Sequence, residues 1–227
     1  MSFWSTIPCS LSSLCNYSDP GCIVETGDVL FYVTANKKDG GMTIGHTLLA
    51  ALSNSALVVH SLEESGVISS YLNLTKYSIC FRFIGDNSAV VSNQAVQMAL
   101  SWSRGHYDYM GSDTFEDFSA KTTQVVGYSS ARWQTYRGVA SAFGTSTFGS
   151  GARARLSKYR SRTGNTPKNV ICSEMVILAY QLSVDVEDEQ SGFINLDAKH
   201  STPGTLASYL YHNPHWQLVG SICMYGD

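Results

Sequence analysis

The run Asn169-Val170-Ile171-Cys172-Ser173-Glu174-Met175-Val176-Ile177-Leu178-Ala179-Tyr180-Gln181-Leu182 is apolar nearly all round when wound as a helix. Such a helix belongs inside a protein, with other elements packed on every side. Pro167 disfavours helix before it, and the Asn169 side chain is suited to cap the first turn. Cys172 then falls in that first turn. Unpaired N–H groups and the positive end of the helix dipole favour a thiolate there. The competing reading is an inert buried cysteine, since free cysteines commonly behave as small hydrophobes. The rest of the chain has to decide between the two.

The chain has 227 residues, 44% of them hydrophobic and 15% charged, which is ordinary for a globular protein with a sizeable core. We expect a single domain over 1–227. Fifteen Lys and Arg stand against 18 Asp and Glu, a net charge of −3, so no nucleic-acid partner is indicated. Charge is unevenly placed, however. From Phe118 to Ser173 there is no acid, while Lys121, Arg132, Arg137, Arg153, Arg155, Lys158, Arg160, Arg162 and Lys168 all fall there. That suits an anionic substrate or a solvated basic face equally well. No secretory signal and no transmembrane run are read from the sequence. Cys9, Cys15 and Cys22 lack the spacing of a zinc knuckle, and a disulfide among them or with Cys80 or Cys223 would require an oxidising compartment.

Residues 1–25 read as an irregular lead-in. Short β-branched and aromatic runs follow at 29–33, 42–49, 56–62, 67–72 and 77–83, joined by short turns. The second of these reads as a strand or as a strand entering a helix. Short connections predict antiparallel pairing. Asn87–Ser103 carries a helical stripe (Val91, Ala95, Met98, Ala99, Trp102) that Gly105 ends. His106-Tyr107-Asp108-Tyr109 is a polar aromatic knot. Residues 119–152 are rich in Gly, Ser, Thr and Ala and read as a loop-like insertion. After the cysteine helix come an acidic loop, a short helix opened by Thr202 and Pro203, and a closing strand at 216–222. The expected class is α+β: an antiparallel sheet, or a small barrel of strands, packed on the Cys172 helix.

A thiol nucleophile needs a base, and the base needs an orienting partner. His106, His200, His212 and His215 lie in polar, loop-like sequence. His46 and His60 lie in or at the end of apolar runs, 14 residues apart, a spacing that sets two adjacent strands side by side. They are candidates for base and orienter, or core histidines bonded to carbonyls. A metal site of His46, His60 and Glu63 or Glu64 lacks the HExxH spacing, and no cofactor is expected.

Five motifs in order carry a resemblance: Gly27-Asp28-Val29-Leu30-Phe31; Gly45-His46-Thr47 with Val58-Val59-His60; Gly105-His106-Tyr107-Asp108; Cys172-Ser173-Glu174-Met175-Val176; and Thr202-Pro203-Gly204-Thr205-Leu206 with Trp216-Gln217-Leu218-Val219. Together, over roughly residues 26–220, they resemble the circularly permuted NlpC/P60 papain-like cysteine hydrolases, which include YiiX-like and lecithin:retinol-acyltransferase-like enzymes. The resemblance implies a permuted papain-like fold, with Cys172 as nucleophile, His46 as general base and His60 as the orienting third residue. The oxyanion would then be held by the Cys172 N–H and a second donor; Tyr107 or Tyr109 is a candidate donor or a packing residue, and Asp108 a substrate or histidine contact or a capping or turn residue. Residues 110–168 and the lead-in have no counterpart in the family. The implied activity is hydrolysis of an amide, in particular a peptidoglycan peptide, by an antibacterial effector like those of type VI secretion. Its partners would be the secretion apparatus and an immunity protein, and its destination a target cell's periplasm. Alternatives are a lipid or thioester acyl hydrolase or acyltransferase of the same fold, and a non-catalytic binding module.

Overall fold

The computed structural model describes residues 23–35, 42–73, 76–103, 126–129, 146–162 and 166–222. Strands β1 (Val29–Ala35), β2 (Met42–Ala50), β3 (Leu57–Leu62), β4 (Gly66–Tyr71), β5 (Ser78–Phe83) and β8 (Trp216–Ile222) form one sheet in the order β4-β3-β2-β1-β5-β8. Every pairing in it is antiparallel, as the short connections from β1 to β4 predict for their pairs. The barrel alternative is corrected. The closing strand β8 pairs with β5 and not with β4, so the sheet stays open with β4 and β8 as its edges. Met42–Ala50 is strand throughout.

Four helices are present among the described residues: α1 (Ser88–Ser101), α2 (Ser150–Arg160), α3 (Cys172–Ser183) and α4 (Pro203–His212). Helix α3 is the centre of the core. Every residue from Cys172 to Leu182 is buried, which is why its sequence is apolar all round. It packs on the sheet face formed by Val29, Phe31, Leu49, Val59 and Phe81, with α1 beside it. The opposite face carries a smaller cluster of Leu30, Leu48, Ala50, Val58 and Cys80.

Two local expectations are revised. Asn169 does not cap α3: Asn169–Val170 is β7, paired in parallel with β6 (Gly127–Tyr128). Ile171 takes the cap position, and its N–H donates to the Glu174 carboxylate at 3.3 Å. Glu174, 1% exposed, therefore closes the helix end. The insertion is also more structured than a loop, since it contains β6 and, at its end, the start of α2. At α4 the expectation and the structure agree: Thr202 Oγ1 accepts from the Thr205 N–H at 3.2 Å, with Pro203 in the first turn.

One polar group ties the start of β1 to β5. Asp28 is buried, and Arg82 grips it with Nε at 2.9 Å and a second nitrogen at 2.8 Å. Arg82 also donates to Glu25 and to the Ile23 carbonyl, both at 2.6 Å. Truncating Arg82→Ala strands a buried carboxylate, so we expect a loss of about 3–5 kcal/mol in unfolding free energy. Urea denaturation followed by circular dichroism measures it. A loss below about 1 kcal/mol, the usual worth of an exposed ion pair, would show that the pair does not anchor β1.

Candidate active site

His46 and His60 come together as the sequence suggested. His46 is on β2, which breaks register with β1 between Tyr32 and Val33. His60 is on β3. Their side chains leave the sheet on the face of Leu48 and Val58, and His46 Nε2 lies 2.8 Å from His60 Nδ1. The rings meet edge-on at 71°. Tyr32 stacks on His46 with ring centroids 5.8 Å apart, and Lys76 Nζ sits 4.9 Å from the Tyr32 centroid.

Burial is the main reason both imidazoles stay neutral. It lowers His46 to about 3, helped by the neighbouring His60 and Lys76, and lowers His60 to about 4, helped by Lys76. The consequence for stability has a definite sign. Unfolded histidines take a proton near pH 6.5, and the folded ones resist until about 4 and 3. The contribution is complete above about 6.5 and is lost as pH falls towards 3, on the order of a few kcal/mol for the pair. We expect the acid limb of a stability–pH curve to flatten in a His46→Gln/His60→Gln variant. An unchanged limb would mean that the pair is solvated.

Cys172 opens α3, as expected, with 4% of its surface exposed. Burial pushes the thiol up to about 11. Against that, the N–H groups of Thr47, Ser173 and Cys172 itself pull it down without prevailing. At neutral pH the resting group is therefore a thiol. Its contact with the sheet is Thr47, the residue that follows His46. The β2–β3 ladder holds only Leu49↔Val59 and Ala50↔Val58, so β3 has parted from β2 before Thr47 is reached. The helix start lies near this gap: Ser61 Oγ on β3 donates to the Val170 carbonyl at 3.0 Å. The Thr47 hydroxyl is wholly buried beside the sulfur, where it too favours the thiolate, and it has no other hydrogen-bond partner.

The three predicted residues are therefore arranged as a close pair with a neighbour. His46 and His60 are hydrogen-bonded, while Cys172 meets β2 one residue further along. Strand alternation sends Thr47 towards α3 and His46 to the other face, and no hydrogen bond joins Cys172 to His46. Tyr107, Asp108 and Tyr109 lie outside the described residues. Three residues near the site were not singled out from sequence. Thr47 is one. Ser70 Oγ on β4 is another, 2.8 Å from His60 Nε2. The third is Tyr128 on β6, pushed up to about 12 by burial first and then by the nearby Cys172 and Glu63. Polar alternation on a strand was the only available signal for Ser70, and it has no meaning until the register is known.

Among the described residues no group of three or more His, Cys, Asp or Glu is placed to hold a metal ion, and no helix is long and apolar enough to cross a membrane. A cavity of about 580 Å³ lies along α4, lined by Glu189, Tyr209, His212 and Asn213 among others, and it takes in none of Cys172, His46 and His60. Comparisons with protein-family models, with curated proteins and with solved structures find no match.

Proposed function

We propose that this protein is a cysteine hydrolase of permuted papain-like fold, with Cys172 as nucleophile, His46 as general base and His60 as its orienting partner. One observation carries the reading. The thiol at the head of a buried helix rests against Thr47, adjacent in the chain to a histidine whose far nitrogen is fixed by a second histidine. With Nε2 of His46 engaged, Nδ1 is the atom left to take the thiol proton. Catalytic hydrogen bonds are commonly long or misaligned before substrate binds.

The chemistry is acyl transfer to sulfur. As the Cys172 proton passes to His46 Nδ1, the sulfur attacks the carbonyl carbon, and the charge moves to the carbonyl oxygen. The Cys172 N–H at the helix start and the Thr47 hydroxyl beside the sulfur are the donors we assign to that oxyanion. His46 then protonates the leaving amine, and water releases the acyl group from the thioester. Burial opposes this proton transfer at rest, with His46 lowered to about 3 and the thiol raised to about 11, so in the proposed cycle the imidazolium forms only as the oxyanion does and is then held by His60.

The substrate class we propose is the amide bond of a peptidoglycan peptide, with the protein acting as an antibacterial effector in a target cell's periplasm. Its partners would then be an export apparatus and an immunity protein. The ordered motifs support this, from Gly27-Asp28 through Cys172-Ser173-Glu174 to Trp216. The test is incubation with purified sacculi and, separately, with mixed phospholipid vesicles, products being read by mass spectrometry. New muropeptide ends support the proposal. Released fatty acid moves the protein to lipid acyl hydrolysis with the same residues. Neither product, under conditions where the fold is intact, would leave a binding module.

A further inference from the structure

We infer that Ser70 is a positioning residue that sets the proton direction of the histidine pair and so makes His46 Nδ1 the basic atom; this rests on the hydrolase reading above. The register carries the argument. On β3 and β4, His60 faces Ile68 while Val58 faces Ser70, so His60 and Ser70 are diagonal neighbours on one face of the sheet. That diagonal closes to 2.8 Å between His60 Nε2 and Ser70 Oγ. His60 is only 7% exposed, so both of its nitrogens are committed: Nδ1 to His46 and Nε2 to Ser70.

The chain of contacts has one end that can only accept. Ser70 Oγ donates onward to the Tyr71 carbonyl at 3.4 Å. That contact is long and supplies only the direction: a hydroxyl proton turned to the carbonyl leaves Ser70 to accept from His60 Nε2–H. His60 Nδ1 is then a lone pair, and it accepts from His46 Nε2–H. A neutral His46 with its proton on Nε2 carries its lone pair on Nδ1. Reversing every bond would place the proton on His46 Nδ1 and leave no base for the thiol. Ser70 thus acts through His60, two groups from the reacting atoms.

The test joins a tautomer measurement with kinetics. In ¹⁵N-histidine-labelled protein, long-range ¹H–¹⁵N correlation reads which nitrogen of His60 carries the proton. We expect Nε2–H in the native chain and a mixture of tautomers in Ser70→Ala. On the substrate that the native protein cleaves, Ser70→Ala should lower kcat about tenfold and change KM little. Ser70→Thr, which keeps the hydroxyl, should restore both the tautomer and the rate. If Ser70→Ala fails to fold, Ser70→Cys, with its weaker acceptor, should show the same shift in smaller measure. An Nδ1–H tautomer in the native chain overturns the inference, as does an unchanged His60 tautomer in Ser70→Ala. An acyl adduct on Ser70 itself also overturns it. The tautomer is read without substrate, so a failed relay and a failed hydrolase assignment give different results.

Discussion

On the proposed reading, Cys172→Ala is expected to lower hydrolysis by roughly 10³-fold or more and to leave the fold in place. The magnitude follows from what the thiol does. In the proposed cycle it forms the covalent bond that divides the reaction into two easier steps, and no other group would supply that bond. The fold survives because the loss is one sulfur atom at a helix start; the buried faces of Met175, Val176 and Ile177 stay as they are. Steady-state rates on the responsive substrate, beside near-ultraviolet circular dichroism, separate the two effects. Cys172→Ser is the sharper control, since it keeps the size and removes the thiol. Activity in either variant within tenfold of the native rate would show that Cys172 is a packing residue, the alternative that its 4% exposure and raised pKa permit.

The second large effect is expected at His46. His46→Ala lowers kcat by roughly 10²–10⁴-fold, the usual worth of a positioned general base. The thiol it serves is held at about 11 by burial, so little thiolate exists near neutrality without a proton acceptor at hand. Without His46 the rate should therefore climb steadily with pH towards about 11 as thiolate forms directly, while the native rate levels off well below that. A His46→Ala variant with the native pH profile would contradict the role of base. His60→Ala should be milder than His46→Ala, because His60 acts by orienting the first ring.

The strands and the central helix were legible because their apolar residues answer to burial on two faces. Val29, Phe31, Val33, Leu57 and Val59 join the main core around α3, and Leu30, Tyr32 and Val58 between them serve the second cluster. The His46–His60 contact was legible for a related reason. Two histidines set in apolar runs on neighbouring strands have few partners other than each other. What the sequence hid depends on long-range pairing. Asn169 has every local mark of a cap, yet Gly127 and Tyr128 bind its segment into β7 and the helix starts later. Helix α2 has only Ala152 and Leu156 buried, so it shows no apolar stripe within the insertion. The parting of β2 from β3 at Thr47, which decides where the thiol rests, leaves no trace in composition or period. Ser70 depends on register in the same way.

A nucleophilic Cys172 forms a covalent bond with substrate during turnover. The direct measurement is an acid quench of the protein in mid-reaction with sacculi or vesicles, followed by proteolysis and mass spectrometry of the peptide that contains Cys172. The expected result is an acyl thioester on Cys172, more abundant in His46→Gln if release of the acyl group is slowed more than its capture, and absent in Cys172→Ser. Product accumulating while Cys172 stays unmodified, or an adduct on any other residue, would contradict it.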